Sequence, residues 1–407
     1  MKKIAVFLLA AFLLTLSLIS GCGPRSADEI ANRDEQSAEA SGLTIHKIGV
    51  ATYNVRDAQI MMFKQYLDGY IKQCFPDVTF LYSDSISGSD DMEDFLTRCA
   101  DSGVEGVMIF GSNDLVREVE FCAGHGMYVI RPSGTSSDEV FDAVAGNPFF
   151  IGEIGPGAEK EYEAGAEMAR ALAGEGKSYL ILSSGAASGN EMHRLRTLGM
   201  LEVLQEIHGV TLPRDCGELA VVSEPTAAEA DGLRVMICPG YLEREENCVT
   251  AAEIIAAGEY NTVLSAVPVS ALMDALSGVD VECGVVDCFS EDNYFGFKKG
   301  KISYVAGKYQ SEIGPGFAAL YNAITGHADA FRADGKAFRL EQGFWHAASE
   351  SEYDSRYALA SSITINAYNY EDLYSVIKNL TPEATFEDYK ALVESYSYED
   401  CLARRSG

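Results

Sequence analysis

From residue 44 onward, short apolar stretches alternate with longer segments whose apolar residues recur every three or four positions. The short stretches predict buried strands, and the longer segments predict amphipathic helices. The first predicted strands are Ile48–Thr52, Val78–Tyr82, Val107–Phe110 and Tyr128–Ile130. The predicted helices between them are Ala58–Gln73, Asp90–Ala100 and Asp114–Ala123. Strands that alternate with helices of this length are typical of βαβ units and a parallel sheet.

The same alternation starts again after a break near residues 145–150, which predicts a second unit of the same kind. Its predicted strands are Ser178–Leu182, Leu233–Ile237, Thr262–Ser265, Val281–Asp287, Ile302–Ala306 and Phe338–Phe344. Its predicted helices are Ala158–Leu172, Glu191–Ile207, Glu243–Ala257, Val269–Leu276 and Ser311–Ile324. The pattern therefore predicts an α/β protein with two doubly wound parallel-sheet lobes.

Two segments stand outside this alternation. Residues 209–232 match neither period, so we interpret them as an insertion loop. Residues 351–407 form a C-terminal extension, in which Thr381-Pro382 predicts a helix start because proline favours the first helical turn. Apolar residues then recur at helical spacing at Phe386, Tyr389, Leu392 and Val393. We expect the extension to be helical and packed.

The first 21 residues have the pattern of a secretory signal. Lys2 and Lys3 precede a mostly apolar run of 16 residues, and small residues follow it. The run is shorter than the ~20 residues of a membrane-spanning helix, which disfavours that alternative. The motif Leu-Ile-Ser-Gly-Cys22 resembles a bacterial lipobox, which implies cleavage before Cys22 and lipidation of that cysteine. Residues 22–43, rich in Ser, Ala, Asp and Glu, are then predicted to be a flexible tether.

The charge of the chain excludes one large class of partner. The 407 residues include 31 Lys+Arg and 61 Asp+Glu, which gives a formal net charge of −30. Loss of the signal with its two lysines would make the charge 29 − 61 = −32. Such a field repels polyanions, so the sequence excludes a nucleic-acid binder. A hydrophobic fraction of 47% still supplies a sizeable core, which excludes disorder of the whole chain.

Motifs for enzymatic or metal chemistry are missing from the sequence. HExxH, GxSxG and a GxGxxG after a strand are all absent, and no cysteine cluster has zinc spacing. Nine cysteines besides Cys22 are an odd number, so we expect mostly free thiols and leave one disulfide open. A hydrolase that uses Asp287 and His193 is an alternative class, disfavoured because no nucleophile accompanies them. We expect a binding protein without a cofactor.

Polar and aromatic residues follow the predicted strands in both lobes. In doubly wound sheets ligands bind beyond the carboxyl ends of the strands, so these residues are candidates for a site. They are Tyr53, Asn54, Arg56, Ser112, Asn113, Arg131, Asn147, Phe149, Asn190, Arg194, Tyr241, Asp287 and Gln310. Taken singly, such residues are more often turn or helix-cap residues. Taken together, planar donors, amides, an acid and aromatic rings suit a neutral polyol such as a sugar.

Five short motifs, in order, resemble those of the type 1 periplasmic solute-binding proteins, closest to the ribose-binding protein and its sugar-binding relatives. They are Lys47–Thr52 at the opening strand, Ala145-Gly146-Asn147 at a crossover, Arg194-Leu-Arg196-Thr-Leu-Gly199-Met200, Val285-Val286-Asp287 and Tyr309-Gln310 with Gly314. The resemblance spans residues 44 to about 346. It implies that Asn147, Arg194, Asp287 and Gln310 bind sugar hydroxyls and that Tyr241 stacks on the ring.

The chain departs from this family at two candidate positions. Val267-Pro268 stand where relatives carry an Asn-Asp pair, and Tyr53-Asn54 replace an Asn with paired phenylalanines. These departures leave the identity of the ligand open.

The resemblance also implies three chain crossings between the lobes, near residues 147, 310 and 337–346. The first lobe would comprise residues 44–147 and 311–336, and the second 148–310 and 337–350. Closure of the lobes around a ligand is the mechanism that this arrangement implies.

Delivery of the ligand to an ABC permease follows from the same resemblance. The chain would then be a monomer, lipid-anchored outside the membrane of a bacterium, which we interpret as Gram-positive. A lipoprotein that presents a sugar, nucleoside or autoinducer to a sensor kinase or chemoreceptor is the alternative. A DNA-binding regulator of the same fold is excluded by the signal, the charge and the lack of a helix-turn-helix segment.

Overall fold

A computed structural model of the chain describes residues 44–332 and 334–406. The predicted signal, the lipidation site Cys22 and the tether lie outside the described residues. Within the described ranges, no helix combines the length and the apolar character needed to cross a membrane.

Two sheets form the centres of the two lobes. Their strands are β1 (His46–Thr52), β2 (Val78–Ser85), β3 (Gly106–Ile109), β4 (Tyr128–Arg131), β5 (Phe150–Gly155), β6 (Tyr179–Ser184), β7 (Thr226–Ala230), β8 (Leu233–Pro239), β9 (Thr262–Ser265), β10 (Glu282–Cys288), β11 (Tyr304–Lys308), β12 (Phe338–Glu341) and β13 (Trp345–Ala347). The first sheet has the order β12-β5-β4-β3-β1-β2, and the second has the order β13-β11-β10-β9-β6-β8-β7. Pairing is parallel except for β13 with β11 and β7 with β8 at the edges of the second sheet. The predicted pair of parallel-sheet lobes is confirmed.

Helices connect the strands and continue beyond them. They are Ala58–Tyr66, Ser89–Asp101, Leu115–Gly124, Asp138–Val144, Ala158–Leu172, Glu191–His208, Cys216–Ala220, Glu245–Ala256, Met273–Ser277, Glu291–Lys298, Gly314–Asn322, Glu350–Ala360, Tyr370–Val376, Phe386–Glu394 and Tyr398–Ser406. The first of them continues through a π-helical turn, Leu67–Ile71, into Lys72–Cys74.

Alternate residues of the first sheet pack into different hydrophobic clusters. Met108 belongs to a cluster that contains Phe317, whereas its neighbours Val107 and Ile109 belong to one that contains Phe95. Successive side chains of a strand point to opposite faces, so both faces of this sheet are covered. A sheet buried on both faces leaves its strand ends as the place where polar side chains can meet a ligand.

The pairing of β5 and β12 moves the lobe boundaries. Phe150 pairs with Val129 of β4, and Phe338 pairs with Gly152. Both strands therefore belong to the first sheet, although the sequence placed residues 148–155 and 337–341 in the second lobe. The first crossing thus follows Gly155 rather than lying at Asn147. The other two crossings follow β11, near residue 310, and join β12 to β13 through residues 342–344.

The segment predicted as an insertion loop, residues 209–232, contains regular structure. It includes the helix Cys216–Ala220 and the strand β7, which forms an antiparallel hairpin with β8 around Asp231-Gly232. Gly232 adopts φ 79°, in the left-handed region that glycine occupies without steric cost. The loop interpretation is wrong because β7, with the sequence Thr-Ala-Ala-Glu-Ala, has one β-branched residue and no aromatic residue, which is a weak strand signal.

The C-terminal extension is helical and packed, as expected. Tyr353, Tyr368 and Tyr389 are fully buried. The predicted helix start at Thr381-Pro382 is displaced, because the helix begins at Phe386 with Thr385 as its N-cap. The nine cysteines of the described residues are all free thiols.

Candidate functional site

The two lobes meet where the loop after β1 faces the end of β10. Asp57 ends this loop, and its Oδ1 accepts hydrogen bonds from the backbone of Gln59 at 2.9 Å and Ile60 at 3.2 Å. The hydroxyl of Tyr53 lies near the carboxylate of Asp57, whose charge adds to burial in raising the pKa of Tyr53. Tyr53 is 40% exposed, yet burial of its hydroxyl raises its pKa well above the usual value, and the charge of Asp287 acts in the same direction. The hydroxyl therefore lies between the lobes while part of the ring remains accessible.

Asp287 is the second-lobe carboxylate at this meeting point. It accepts a hydrogen bond from Asn293 Nδ2 at 2.6 Å, and the same amide donates to the carbonyl of Cys288 at 2.8 Å. The pKa of Asp287 is raised to about 7, mainly by burial and also by the charge of Asp57, against the opposing effect of the bond from Asn293. Near neutral pH this carboxyl group can accept hydrogen bonds from hydroxyls or donate one.

A second polar and aromatic group lies at the ends of β6 and β8. Asn190 caps the helix Glu191–His208, and its Nδ2 donates to the hydroxyl of Tyr241 at 3.4 Å. The ring of Tyr241 lies against Gly185, where a Cβ atom would come within 2.2 Å of it. Gly185 N donates to His193 Nδ1 at 3.2 Å, and burial lowers the pKa of His193 to about 3. The imidazole is neutral, and the tyrosine ring is held in a fixed orientation.

Two serine hydroxyls missed by the sequence analysis lie beside this group. The hydroxyls of Ser183 and Ser184 are buried, and neither has a hydrogen-bond partner among the residues that the structure describes. Ser184 adopts φ 49°, which is costly for a residue other than glycine. Buried polar groups rarely remain unpaired, so these two hydroxyls are further candidates for a polar contact at the end of β6. The signal in the sequence was a polar pair that ends an otherwise apolar strand.

The two arginines of the Arg-x-Arg motif have different environments. Arg194 forms two bonds with Glu191, Nε to Oε2 at 2.7 Å and Nη2 to Oε1 at 2.6 Å, and its side chain is 31% exposed. Arg196 is buried and donates to Glu161 at 2.6 Å and to the carbonyl of Ala266 at 2.8 Å. Arg194 is the one that a ligand can reach, and Glu191 restricts its orientation.

In the first lobe, Arg131 ends β4 and is largely neutralised by its own lobe. Its Nη1 lies 3.6 Å from Oε2 of the fully buried Glu153, which also binds Arg339 at 2.6 Å. Burial lowers the pKa of Arg131. The charge of Glu118 attracts Arg131, and the buried hydroxyl of Ser112, near Glu118, has no hydrogen-bond partner among the described residues.

Three other residues of the first lobe lie at its surface. The side chain of Asn54 accepts from the backbone of Arg56 at 3.0 Å, which is a local turn contact. Arg56 and Asn113 are exposed. Asn54 and Arg56 belong to the loop after β1, and none of the three side chains forms a hydrogen bond with the second lobe among the described residues.

Asn147 and Phe149 do not line the strand ends at all. Asn147 Oδ1 accepts from Phe149 N at 2.9 Å in the turn before β5, and the ring of Phe149 lies 5.1 Å from that of Tyr128 at the start of β4. Because β4 and β5 are parallel, both residues lie at the amino edge of the sheet, opposite the candidate site. Their assignment to the site is wrong, since it rested on a crossing at Asn147.

Gln310 is also not available to a ligand in the cleft. Its side chain is buried, and its Nε2 donates to Asn366 Oδ1 at 2.9 Å and to the carbonyl of Ser362. Both acceptors belong to the C-terminal extension. The prediction that Gln310 binds the ligand is therefore contradicted, because the extension occupies its amide.

A buried ion pair that joins the lobes was not predicted. Lys308 Nζ, at the end of β11, donates to the carbonyl of Ser133 at 2.9 Å and to its hydroxyl at 2.8 Å. The Ser133 hydroxyl donates to Glu312 Oε1 at 2.5 Å, and Lys308 Nζ lies 3.8 Å from the same carboxylate. The signal was a charged pair at i and i+4 directly after an apolar strand.

A cavity of about 190 Å³ lies between β1 and the helix Ala58–Tyr66, and its lining includes Thr52 and Val55 on either side of Tyr53. Its lining is mainly apolar and includes Ile60, Phe63 and Leu67. No group of three or more His, Cys, Asp or Glu in the described ranges is placed to hold a metal ion.

Comparison with known proteins supports the fold. The sequence matches no family model and no curated protein. A periplasmic sugar-binding protein from Pseudomonas fluorescens superposes with a TM-score of 0.58 and 15% identity, over 88% of this chain and 100% of that one. An ABC-transporter solute-binding protein from Actinobacillus succinogenes 130z, solved with D-allose, gives 0.57 and 12%, over 76% and 99%.

A third similar structure is the arabinose-transporter binding protein from Shewanella sp. ANA-3, solved with L-arabinofuranose. It gives a TM-score of 0.54 and 12% identity, over 77% of this chain and 94% of that one. At such identities the similarity establishes the fold. The chain therefore has the two-lobe fold of the type 1 periplasmic binding proteins, which confirms the fold that the sequence motifs predict.

Proposed function

We propose that this protein is an extracytoplasmic solute-binding protein that captures a sugar between its two lobes. One observation carries the proposal: Tyr53 and Asp57 of the first lobe meet Asp287 of the second lobe, so a ligand placed there touches both. Proteins of the same fold that bind D-allose and L-arabinofuranose support a sugar as the ligand class.

The roles of the second-lobe residues follow from their chemistry. Asp287 would bind ligand hydroxyls, and the fixed ring of Tyr241 would stack on the apolar face of the sugar. Arg194, oriented by Glu191, would donate to a further hydroxyl. A ligand with contacts on both lobes stabilises the closed state by the contacts that only that state provides. Binding and closure, without a catalytic step, are the function that these groups support.

Delivery completes the proposal. A lipid on Cys22 would hold the protein at the membrane, and the tether of residues 22–43 would let it reach an ABC permease. The acidic surface of the lobes would face basic patches on that permease. A single copy of the chain supplies both lobes, so the proposed unit is a monomer.

Calorimetric titration of ligand-free protein tests the proposal. The protein is unfolded and refolded to remove any bound molecule, then titrated with pentoses, hexoses, nucleosides and furanoses. We expect saturable 1:1 binding of at least one polyol. The variant Asp287→Ala should weaken this binding roughly 30-fold, whereas Asp292→Ala, which removes an exposed acid five residues away, should leave it unchanged. No heat with any member of the panel would contradict sugar binding.

A further inference from the structure

The C-terminal segment 350–406, which we term the strap, is anchored to the first lobe. Tyr66 Oη donates to the carbonyl of Tyr368 at 2.9 Å, and Tyr389 Oη donates to the carbonyl of Pro315 at 3.0 Å. Asn322 Nδ2 donates to the carbonyl of Val376 at 3.0 Å. These hydrogen bonds are buried, so the strap is packed firmly against the first lobe.

The strap is anchored to the second lobe as well. The ring of Tyr353 stacks on Phe297 with centroids 4.6 Å apart and on Phe289 at 5.0 Å, and its hydroxyl donates to the carbonyl of Ser290 at 2.9 Å. Lys298 Nζ lies 2.7 Å from Glu350. One continuous segment therefore binds to both lobes.

Between these anchors the strap covers two of the three crossings. At the crossing after β11, Gln310 donates to Asn366 Oδ1 at 2.9 Å. At the crossing between β12 and β13, Gln342 Nε2 donates to Tyr368 Oη at 3.1 Å, and Trp345 Nε1 donates to the carbonyl of Tyr396 at 2.7 Å. The ring of Trp345 stacks on Tyr309 with centroids 3.9 Å apart, which joins the two crossings.

Contacts inside the strap hold its pieces together. Arg405 forms an ion pair with Asp372, and Arg404 lies 3.4 Å from the same residue. Arg404 also donates to the carbonyl of Ala367 at 3.1 Å, and its guanidinium lies over the ring of Tyr368 at 4.9 Å. The last helix is thus fastened to the part of the strap that contacts the crossings.

We propose that the strap restricts the opening of the two lobes. Domain opening concentrates backbone rotation in a few crossing residues. Here Tyr309, Gln310, Gln342 and Trp345 are buried, and the strap that binds them is fixed on both lobes, so rotation must break these contacts together. The lobes therefore move over a narrower range than bare crossings would allow. This inference goes beyond ligand capture and holds whatever the ligand is.

Two asparagines of the strap provide a matched pair for its test. Asn366 accepts from Gln310 at a crossing, whereas Asn379 Oδ1 bonds only to His327 of the first lobe at 2.7 Å. Hydrogen–deuterium exchange is measured for residues 309–313 and 342–345 without ligand. In Asn366→Ala we expect roughly tenfold faster exchange at these amides, and a larger radius of gyration in solution X-ray scattering. In Asn379→Ala both should equal the wild type.

A second pair keeps the test decisive if Asn366→Ala does not fold. Tyr398 packs edge-on against Trp345 at 5.4 Å, whereas the exposed Tyr374 contacts Tyr370 within the strap. Trp345 is the one tryptophan of the sequence, so acrylamide quenching of its fluorescence reports on the crossing. We expect Tyr398→Ala, but not Tyr374→Ala, to increase quenching. Equal behaviour within both pairs, or wild-type crossings that exchange as fast as exposed loops, would overturn the proposal.

Discussion

The strands β10 and β11 are neighbours in the second sheet, and family resemblance assigns a ligand contact at or just after the carboxyl end of each. Asp287 lies at the meeting point of the lobes with an amide and a thiol as partners, which leaves acceptor capacity for a ligand. Gln310 is buried under the strap, and its amide nitrogen already serves two acceptors. A motif shared with a family therefore predicts a ligand contact only where no additional segment of the chain already binds the side chain.

The same comparison changes the electrostatic picture of the cleft. The candidate residues named from the sequence include Arg131 and Arg194 together with Asp287. In the structure Arg131 is paired with Glu153, and Arg194 is paired with Glu191, so neither cation is free to neutralise Asp287. The carboxyl groups of Asp57 and Asp287 instead share a poorly solvated region, which is why the pKa of each is raised.

The largest loss of stability is expected at Lys308, whose buried charge joins the two lobes. Lys308→Met removes the cation that binds Ser133 and leaves Glu312 buried beside a neutral side chain. Breaking a buried pair on one side costs about 3–5 kcal/mol, which urea unfolding measures. Lys390→Met is the control, because Lys390 and Glu394 form an exposed pair worth less than about 1 kcal/mol. Equal losses in the two variants would show that the buried pair does not stabilise the junction.

At the meeting point we expect intermediate effects on binding. Asp287→Ala and Arg194→Ala should each weaken binding of the ligand found by titration by about 2 kcal/mol, roughly 30-fold, because ligand hydroxyls lose their partners. Arg117→Ala, which removes an exposed arginine paired with Glu93, should bind as the wild type does. Wild-type affinity in both site variants would place the ligand elsewhere.

A smaller change, in the free energy of unfolding, is expected from the ionisation of Asp287. The pKa of Asp287 is raised to about 7 by burial, whereas in the unfolded chain it is near 4. Between these values the folded protein holds a proton that the unfolded chain has lost. Its contribution to stability is therefore complete below pH ~4 and is lost as pH rises through ~7.

Comparison with Asp287→Asn isolates this contribution. The unfolding free energy of the wild type minus that of the variant should fall between pH ~4 and ~7, by at most about 1.4 kcal/mol per pH unit. Other groups with a raised pKa, such as Glu312, contribute equally in both proteins, so their contributions cancel in the difference. Parallel pH profiles for the two proteins would show that Asp287 is well solvated.

The smallest effect is expected at the aromatic group. Tyr241→Phe keeps the ring and removes only the acceptor for Asn190, so binding should weaken by less than about 1 kcal/mol. Tyr241→Ala removes the stacking surface and should cost more. If both variants lose the same affinity, the hydroxyl rather than the ring is the ligand contact.

The sequence predicted the fold better than it predicted the site. Strands such as β1 and β9 were found because uninterrupted apolar runs mark buried parallel strands. β5 was missed because Gly152, Glu153 and Gly155 interrupt its apolar pattern, and that omission also misplaced Asn147. The sequence correctly placed Asp287, Asn190 and Tyr241 at the carboxyl ends of strands, because parallel topology alone fixes which edge of the sheet carries these ends.

What the sequence could not predict depends on contacts between distant segments. Gln310 meets Asn366 across 56 positions, and Lys308 meets Ser133 across 175. No local period encodes such pairs. The orientation of the serine hydroxyls at the end of β6 depends in turn on the backbone conformation of Ser184, which its residue type does not favour.

A crystal structure of protein purified from its native host without unfolding tests the central claim most directly. We predict electron density for a small polyol between the loop of Tyr53 and Asp57 on one side and Asp287 and Tyr241 on the other. Density for a ligand in the mainly apolar cavity between β1 and the helix Ala58–Tyr66, with nothing between the lobes, would contradict it.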